Sequence, residues 1–331
     1  MPGFLAATAA TLDEVRRPVL PGLSEVDAQL RGYAVSGFNS LDEVGGYLLS
    51  RTGKLLRPTL ALLADGLTGR PTSDGTRVAS VVELLHVATL VHDDAVDHSV
   101  RRRGRPTVNA QWSHQVAIIA GDYLYSRAVI EAATLGRLDI IEVLASAANK
   151  MTIGEMRQLV LHDGLNFTRR DYDRLCEFKT ASLMSAACEL GAMTGAPEYR
   201  EAMAEFGVHL GMAFQVVDDL IDYLAPEEIT GKPRGQDLRE HKVTLPLIAA
   251  LDIMGPEDRS RVEALFADPD PSRSAVAEVT RVVLDSGGVE EAVEVAREHA
   301  DKARKMLDGV PHGENANALR EAVDYVVDRI N

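Results

Sequence analysis

Apolar residues recur at helical spacing along nearly the whole chain. In the segment 77–97, Val78, Val82 and Leu85 lie three or four positions apart and so share one helix face. The same pattern occurs in the segments 112–135, 138–162, 171–193 and 198–224. Glycine and proline cluster between such segments, at 66–75, 104–106, 195–197 and 231–235. No segment alternates convincingly as a strand. The pattern predicts one all-α domain over residues 1–331, a single large helical bundle around a deep central cavity, with outer helices in the tail 256–331.

Two short clusters of aspartates interrupt these apolar helices. Each places carboxylates at positions i, i+1 and i+4, so at least two point the same way on a helix. Like charges at that spacing repel, by about 4 kcal/mol for a semi-buried pair about 4 Å apart. The clusters are Asp93, Asp94 and Asp97, and then Asp218, Asp219 and Asp222.

A solvated helix face is the ordinary explanation of one acidic run. Here, however, Leu90 and Val91 precede the first cluster, and Val217 and Leu220 surround the second. Carboxylates embedded in apolar segments need cations, and oxygen-only ligands favour Mg²⁺, which shares its coordination with substrate phosphates. The pair of clusters therefore predicts a magnesium site.

Composition narrows the class of protein. The 331 residues carry a formal net charge of −15, which disfavours nucleic acid as a partner because binding its backbone requires a basic face. The two cysteines, Cys176 and Cys188, lie in one helical segment about 18 Å apart, too far to form a disulfide with each other. The sequence has no basic stretch ahead of an apolar segment at its start and no apolar run of about 18–20 residues. We expect a cytoplasmic protein with reduced thiols and no transmembrane segment.

Basic residues lie close to both acidic clusters in the sequence. Each of these residues alone is explained as a surface cation, and the run Arg101-Arg102-Arg103 alone as a nucleic-acid patch. Together, in a chain this acidic, they favour diphosphate recognition, because arginine forks and lysine point charges bind phosphate oxygens. Six carboxylates neutralise about three Mg²⁺ ions when a diphosphate shares them, and a second diphosphate then requires a site of cations alone. The residues are Lys54, Arg57, Arg102, Arg103, Lys179, Lys232 and Lys242.

At these residues the chain resembles the all-trans polyprenyl diphosphate synthases, and among them the medium- and long-chain members. Many short motifs occur in the family's order from Gly53 to Pro246. They are Gly53-Lys54 with Arg57-Pro58, Glu83-Leu84-Leu85-His86, Asp93-Asp94-Ala95-Val96-Asp97, Arg102-Arg103-Gly104, Gly121-Asp122, Lys179-Thr180-Ala181, Phe214-Gln215 with Asp218-Asp219-Leu220-Ile221-Asp222, and Gly231-Lys232. The resemblance implies an isoprenoid synthase-like fold and a homodimer. It also implies a prenyltransferase that condenses isopentenyl diphosphate with the carbocation formed from an allylic diphosphate.

The resemblance also assigns roles to individual residues. It implies that Asp93, Asp97 and Asp218 ligate Mg²⁺, with Asp94, Asp219 and Asp222 completing the clusters. Thr180 and Gln215 would present oxygen dipoles near the cation. The residues expected to hold the allylic diphosphate are Arg102, Lys179, Lys232 and Lys242, and those for isopentenyl diphosphate are Lys54, Arg57, His86 and Arg103. A lone histidine on an apolar helix is more often a core residue, and the alignment of His86 with the first acidic motif is what favours its role. One position departs from the family, which commonly has glycine where His241 stands, before Lys242.

Product length is predicted from small residues before the first cluster. Ala88 and Thr89 lie about 6–7.5 Å deeper along the helix than Asp93. In this family a bulky aromatic residue at the fifth position before the motif stops the chain near C15 or C20, and Ala88 offers no such stop. We therefore expect a product longer than C20, about C30 to C50. The alternative is that another helix sets the floor. The residues expected at the floor are Val81, Leu85, Val129, Ala132 and Ala133.

Other functions share parts of this pattern. A farnesyl or geranylgeranyl diphosphate synthase would use the same motifs for a shorter product. A class I terpene cyclase has the first acidic motif but typically replaces the second with an Asn/Asp, Ser/Thr, Glu pattern. An all-α metal phosphohydrolase requires histidine-rich ligation, and a non-catalytic partner subunit would lack one or both clusters. The second aspartate-rich cluster favours chain elongation over cyclisation, has no histidine beside it as a phosphohydrolase would require, and is not expected in a non-catalytic subunit; the shorter-product synthase stays an alternative.

Overall fold

The computed structural model describes residues 11–50, 53–161, 164–225 and 233–330. Within them the chain is almost entirely helical. The helices are α1 (Leu12–Arg16), α2 (Leu20–Tyr33), α3 (Asn39–Leu49), α4 (Leu56–Asp65), α5 (Ser73–Val96), α6 (Val108–Gln111), α7 (His114–Ala133), α8 (Leu138–Leu161), α9 (Arg169–Cys176), α10 (Ser182–Gly195), α11 (Arg200–Leu224), α12 (Gln236–Arg239), α13 (Leu245–Ile253), α14 (Pro256–Ala267), α15 (Arg273–Ser286), α16 (Gly288–Met306) and α17 (Glu314–Val327). The predicted all-α fold is confirmed.

Three features differ from the sequence-based expectation. Two residue pairs, β1 (Arg101–Arg102) and β2 (Arg105–Pro106), form a short antiparallel ribbon that is too brief to show an alternating pattern. The predicted helix 171–193 is divided by a π-helical turn, Glu177–Ala181. The tail was expected to supply outer helices, but α16 packs along the length of α11.

The buried side chains form two large clusters, and α11 contributes to both. Met203 and Phe206 lie in the first cluster with α2, α4, α5 and α10, whereas Val216 and Leu220 lie in the second with α13, α15 and α16. These four side chains are fully buried. The second aspartate cluster is therefore carried by a helix whose earlier turns pack into one core cluster and whose later turns pack into the other.

Helix α5 is held at both of its ends. The hydroxyl of Thr72 accepts the amide of Gly75 at 2.9 Å and caps the start. The helix ends at Asp97, whose amide donates to the carbonyl of Asp93 at 2.8 Å, and His98 then turns the chain with a φ of +50°. The first aspartate cluster is thus placed on the last turn of a long helix whose earlier turns are buried.

None of the described helices combines the length and the apolar character required to cross a bilayer.

Candidate active site

A π-helical turn between α9 and α10 connects the two aspartate clusters. Lys179 in this turn is one of the charges that act on Asp93, and the hydroxyl of Thr180 donates to Gln215 Oε1 at 2.7 Å, one turn before Asp219. Extra-wide turns of this kind occur often at functional sites because they redirect side chains. The turn therefore presents Lys179 to the first aspartate cluster and the adjacent Thr180 to the second.

Two glycines allow the neighbouring helices to approach this turn. A methyl group on Gly154 of α8 would lie 2.9 Å from the amide nitrogen of Lys179. One on Gly211 of α11 would lie 2.5 Å from the Cα of Ala181. Because a Cβ would meet backbone on both sides, glycine is required for α8 and α11 to pack this closely.

In the first cluster the carboxylates have different partners. Burial raises the pKa of Asp93 to about 6 against the attraction of Lys179, and Glu155 adds to the increase. Arg102 Nε donates to both carboxylate oxygens of Asp94, at 2.8 and 2.9 Å. Burial nevertheless raises the pKa of Asp94. Asp97 is exposed at the helix end. At Asp93 and Asp94, therefore, burial disfavours the charged forms more than the neighbouring cations favour them.

In the second cluster each aspartate has its own environment. Asp218 Oδ1 pairs with Arg329 Nη2 at 2.6 Å, and burial raises its pKa despite Arg329. Asp219 is buried and accepts from the Tyr172 hydroxyl at 2.6 Å and from Gln215 Nε2 at 2.9 Å. Burial, the charge of Asp237 and that of Asp218 raise the pKa of Asp219 well above its usual value.

Backbone amides of the segment 235–237 hold Asp222. Its carboxylate accepts the amides of Gln236 at 3.1 Å and Asp237 at 3.0 Å, and its carbonyl accepts the amide of Gly235 at 3.0 Å. The third aspartate therefore fixes the start of α12, which orders the segment that leads to Lys242.

Lys179 has partners that the sequence analysis did not identify. Its Nζ lies 2.5 Å from Glu155 Oε2 and 2.8 Å from Gln158 Oε1, both on α8. The second oxygen of Glu155 is buried without a partner among the described residues. Glu155 thus positions the lysine and adds a carboxylate beside the first cluster.

A cavity of about 610 Å³ opens beside the clusters. Five predicted substrate-binding residues line it together, and Arg57 Nη1 lies 3.2 Å from His86 Nε2. Burial and the charge of Arg57 lower the pKa of His86 well below its usual value, which keeps the imidazole neutral. Residues of α4, α5, α11 and α17 contribute to its wall. The five predicted residues are Lys54, Arg57, His86, Arg102 and Arg103.

Some guanidinium donors in this cavity have no hydrogen-bonding partner among the described residues. The carboxylate of Glu83 is buried among Arg57 and Arg103, and burial raises its pKa against their attraction. Nε of Arg57 and Nη1 of Arg329 are buried without a hydrogen-bond partner in the described part of the chain. Unpaired guanidinium donors in a polar cavity favour an anionic ligand.

The predicted allylic-site cations do not all meet in this cavity. Arg102 lies in it, whereas Lys179 and Lys242 are not among its lining residues. Lys242 Nζ pairs with Glu240 at 2.6 Å. Burial acts to lower the pKa of Lys242, but Glu240, Asp237 and Asp97 together outweigh it and raise the pKa. Lys232 falls outside the described residues.

The backbone conformation at position 241 explains why glycine suits this position. Its φ is +55°, in the left-handed region that glycine occupies without steric cost. The ring lies 5.5 Å from that of Phe266, and the next amide, of Lys242, donates to the carbonyl of Asp237 at 2.7 Å. The turn is therefore formed with histidine, although its backbone conformation is unfavourable for this residue type.

The residues predicted to set product length are only partly where we expected them. Ala88 is buried in the first core cluster with Val81, Leu85 and Ala132. Val129 and Ala133, however, lie on the exposed face of α7, so the prediction that they close the floor is wrong for the single chain. Neither Ala88 nor the half-buried Thr89 lines the cavity described above.

The donor set fits a divalent cation. The clusters offer carboxylate oxygens, and burial raises the pKa of Asp93, Asp94 and Asp218, so a bound cation would favour their ionised forms. Within the described ranges, however, no three acidic, histidine or cysteine side chains converge tightly enough to hold an ion. Asp94 and Asp218 are instead turned toward Arg102 and Arg329.

Sequence reasoning missed four residues of this site. Glu155 and Gln158 share a face of α8, a local signal that could have indicated them. Tyr172 and Arg329 offer no local signal, because they reach Asp219 and Asp218 only through packing of distant helices.

Comparison with known proteins places the chain in a family. Residues 38–283 match the polyprenyl synthetase family. The chain is 35% identical over 306 residues to heptaprenyl diphosphate synthase component 2 of Geobacillus stearothermophilus, covering 92% of this chain and 94% of the relative. The structure of a decaprenyl diphosphate synthase from Rhodobacter capsulatus superposes with a TM-score of 0.91 at 34% identity, covering 97% and 100% of the two chains. That of a polyprenyl synthase from Caulobacter crescentus CB15, complexed with calcium and isoprenyl diphosphate, also gives 0.91, at 30% identity and 97% and 99% coverage. The chain therefore belongs to the polyprenyl synthetase family of prenyltransferases.

Proposed function

We propose that this protein condenses isopentenyl diphosphate with an allylic diphosphate, head to tail and in the trans configuration, to give a polyprenyl diphosphate longer than C20. The observation that carries the proposal is the arrangement around the π-helical turn. One side faces Asp93 through Lys179, and the other reaches Asp219 through Thr180 and Gln215. A cavity lined by cations lies beside both clusters.

Magnesium is the cation that best fits the carboxylates, with about three ions shared between the clusters and a diphosphate. Asp93, Asp97 and Asp218 would be the direct ligands. When bound, the ions stabilise the charge that develops on a departing diphosphate. The chain's own residues orient this chemistry: Gln215 is fixed by Thr180 and Asp219 and presents an amide dipole near the allylic carbon.

The two diphosphates would occupy different sites. Lys54, Arg57 and Arg103 lie in the cavity with a neutral His86, so isopentenyl diphosphate would be held there without metal. The allylic diphosphate would lie between the aspartate clusters near Lys179, joined by Lys242 and, from outside the described residues, Lys232. Arg102 lines the cavity and pairs with Asp94, so it would bridge the two sites.

Product length above C20, about C30 to C50, is supported by the small Ala88 and by the names of the relatives. Those relatives are described as heptaprenyl and decaprenyl diphosphate synthases. Leu85, Val81 and Ala132 pack around Ala88 in the first core cluster and are the described candidates for the floor.

We further propose that the chain acts as one domain and as a homodimer. Helix α11 joins both core clusters, which favours a single folding unit. Helices α7 and α8 expose apolar side chains that a second copy would cover. These include Ile119, Ile130, Met156, Leu159 and Val160.

The decisive experiment incubates the purified protein with labelled isopentenyl diphosphate, Mg²⁺ and separate C5, C10, C15 and C20 primers, followed by analysis of product length. We expect isopentenyl incorporation that depends on a primer and products longer than C20. Release of phosphate or diphosphate without isopentenyl incorporation would contradict the proposal.

Replacement of a metal ligand tests the magnesium assignment. Asp93→Ala and Asp218→Ala should each lower kcat by at least about 10²-fold, because each removes an electrostatic stabiliser of the transition state. The matched control is Asp74→Ala, on the first turn of the same helix α5, where the carboxylate pairs with Arg77 at the surface. The control should retain turnover, and all three should retain their helical circular dichroism. Near-normal turnover of Asp93→Ala or Asp218→Ala at saturating Mg²⁺ would refute the assignment.

A further inference from the structure

A second groove lies outside the active site, between the segment 233–239 and helix α15. Its volume is about 540 Å³, within the range of small-molecule sites. Gly235, with a φ of +75°, brings the two walls together, because a Cβ there would lie 2.6 Å from the Thr280 hydroxyl. The groove is therefore a built feature of the fold rather than a gap between loose side chains.

Four arginines line this groove, although the chain as a whole carries a net charge of −15. Arg273 and Arg281 make no ion pair or hydrogen bond within the part of the chain that the structure describes. Arg239 approaches only Asp270, at 3.5 Å, and that carboxylate is 87% exposed. Arg234 donates Nε to the carbonyl of Ala225 at 3.0 Å, which leaves its terminal nitrogens available.

The rest of the wall is apolar on one side. Val276, Ala277 and Leu284 of α15 lie between the arginines, and Thr280 uses its hydroxyl to donate to the Val276 carbonyl at 2.8 Å. Guanidinium groups bind phosphate oxygens through paired N–H donors. A ligand that fits this wall has a strongly anionic phosphate group at one end.

We propose that this groove binds a diphosphate group. Four guanidinium groups along one groove match the charge of a diphosphate better than that of a single phosphate. The group could belong to free inorganic diphosphate, or to a prenyl diphosphate whose chain lies on Val276 and Leu284.

The location gives the site a direct structural link to the active site. The same segment that lines the groove donates the amides of Gln236 and Asp237 to the carboxylate of Asp222. The groove thus lies behind the second aspartate cluster, and the two share one backbone wall. The binding proposal itself does not depend on the proposed prenyl transfer.

The test measures diphosphate binding by titration calorimetry with the full-length protein. EDTA removes metal-dependent binding at the aspartate clusters, and the background variant Arg57→Gln/Arg103→Gln weakens binding in the cavity. In that background we expect inorganic diphosphate to bind at one site, and Arg273→Gln/Arg281→Gln to weaken that binding at least about tenfold. The matched control, Arg31→Gln/Arg259→Gln, removes the same charge from exposed helix faces elsewhere and should change binding by less than about twofold.

A second arm repeats the titration with farnesyl diphosphate to identify the source of the group. If farnesyl diphosphate binds more tightly than inorganic diphosphate, and Arg273→Gln/Arg281→Gln abolishes the difference, the groove is assigned to a prenyl diphosphate. Equal affinity for the two ligands assigns the groove to free diphosphate. With Arg57 and Arg103 intact, Arg273→Gln/Arg281→Gln should keep its helical circular dichroism and its prenyl transfer. Absence of diphosphate binding in the background variant, or equal losses in the groove and control variants, would overturn the proposal.

Discussion

The ion pair between Arg329 and Asp218 has a measurable consequence for metal binding. Arg329 Nη2 lies 2.6 Å from Asp218 Oδ1, and the two side chains are 21% and 38% exposed. A guanidinium in contact with a metal ligand competes with the metal for the same oxygen. We therefore predict that Arg329→Met raises the affinity of the substrate-free protein for Mg²⁺.

The magnitude follows from the partial exposure of the pair. A fully exposed ion pair contributes about 0.2–1 kcal/mol, and breaking a fully buried one costs about 3–5 kcal/mol. An intermediate value of about 1–2 kcal/mol is appropriate here, because solvent screens the Asp218 carboxylate. Since 1.4 kcal/mol corresponds to a factor of ten, the apparent dissociation constant for Mg²⁺ should fall about tenfold. Without Mg²⁺ the same variant should be less stable by a similar amount.

Thermal unfolding as a function of Mg²⁺ concentration measures both effects, because a ligand of the native state stabilises it by RT ln(1 + [L]/Kd). The concentration near which Tm begins to rise is the Mg²⁺ midpoint and gives the apparent dissociation constant. The matched control is Arg304→Met, which removes surface ion pairs with Asp301 and Asp324, both at 2.7 Å, away from the clusters. It should lower Tm slightly and leave the Mg²⁺ midpoint unchanged. If Arg329→Met and Arg304→Met give the same midpoint as the unmodified protein, the competition between arginine and metal does not exist.

The remaining predictions concern substrate sites, product length and pH. Arg57→Ala should raise KM mainly for isopentenyl diphosphate, and Lys179→Ala mainly for the allylic substrate, in initial-rate measurements with each substrate varied; equal shifts in both KM values would refute the division. Ala88→Tyr should shorten the product to about C15–C20 while first condensations continue, at a stability cost of about 1–3 kcal/mol from overpacking; an unchanged product distribution would place the floor elsewhere. Burial and the facing His209, 3.2 Å away, lower the pKa of His299 to about 4. As pH falls, the imidazole of residue 299 is therefore protonated in the unfolded chain before it is protonated in the folded protein. Stability is lost as pH falls from about 6.5 toward 4. Between pH 7 and pH 5, the free energy of unfolding should fall by about 1 kcal/mol more in the unmodified protein than in His299→Gln, after allowing for the partial exposure of the side chain. Equal pH slopes of the two proteins in urea titrations would show that His299 does not cause the loss of stability.

Much of the helical framework could be predicted from local patterns. The boundaries expected for 112–135, 138–162 and 198–224 agree within two residues with α7, α8 and α11, because apolar periodicity and glycine or proline breaks are properties of neighbouring residues. The spacing within each aspartate cluster likewise requires only helical geometry. The π-helical turn was not predictable in this way, because it depends on where Gly154 and Gly211 let α8 and α11 approach Lys179 and Ala181.

The fold class, the two carboxylate clusters and the need for cations beside them can all be read from the amino-acid sequence, since each is encoded in short-range spacing and charge. Tertiary structure decided which cation meets which carboxylate. Arg329 reaches Asp218 from the last turn of the described chain, and Glu155 rather than an aspartate of the clusters is the ion-pair partner of Lys179. It also decided that arginines from two separate segments, such as Arg234 and Arg281, line one groove. These pairings depend on the packing of helices distant in sequence, and electrostatic attraction is strong only over the few ångströms that such packing sets.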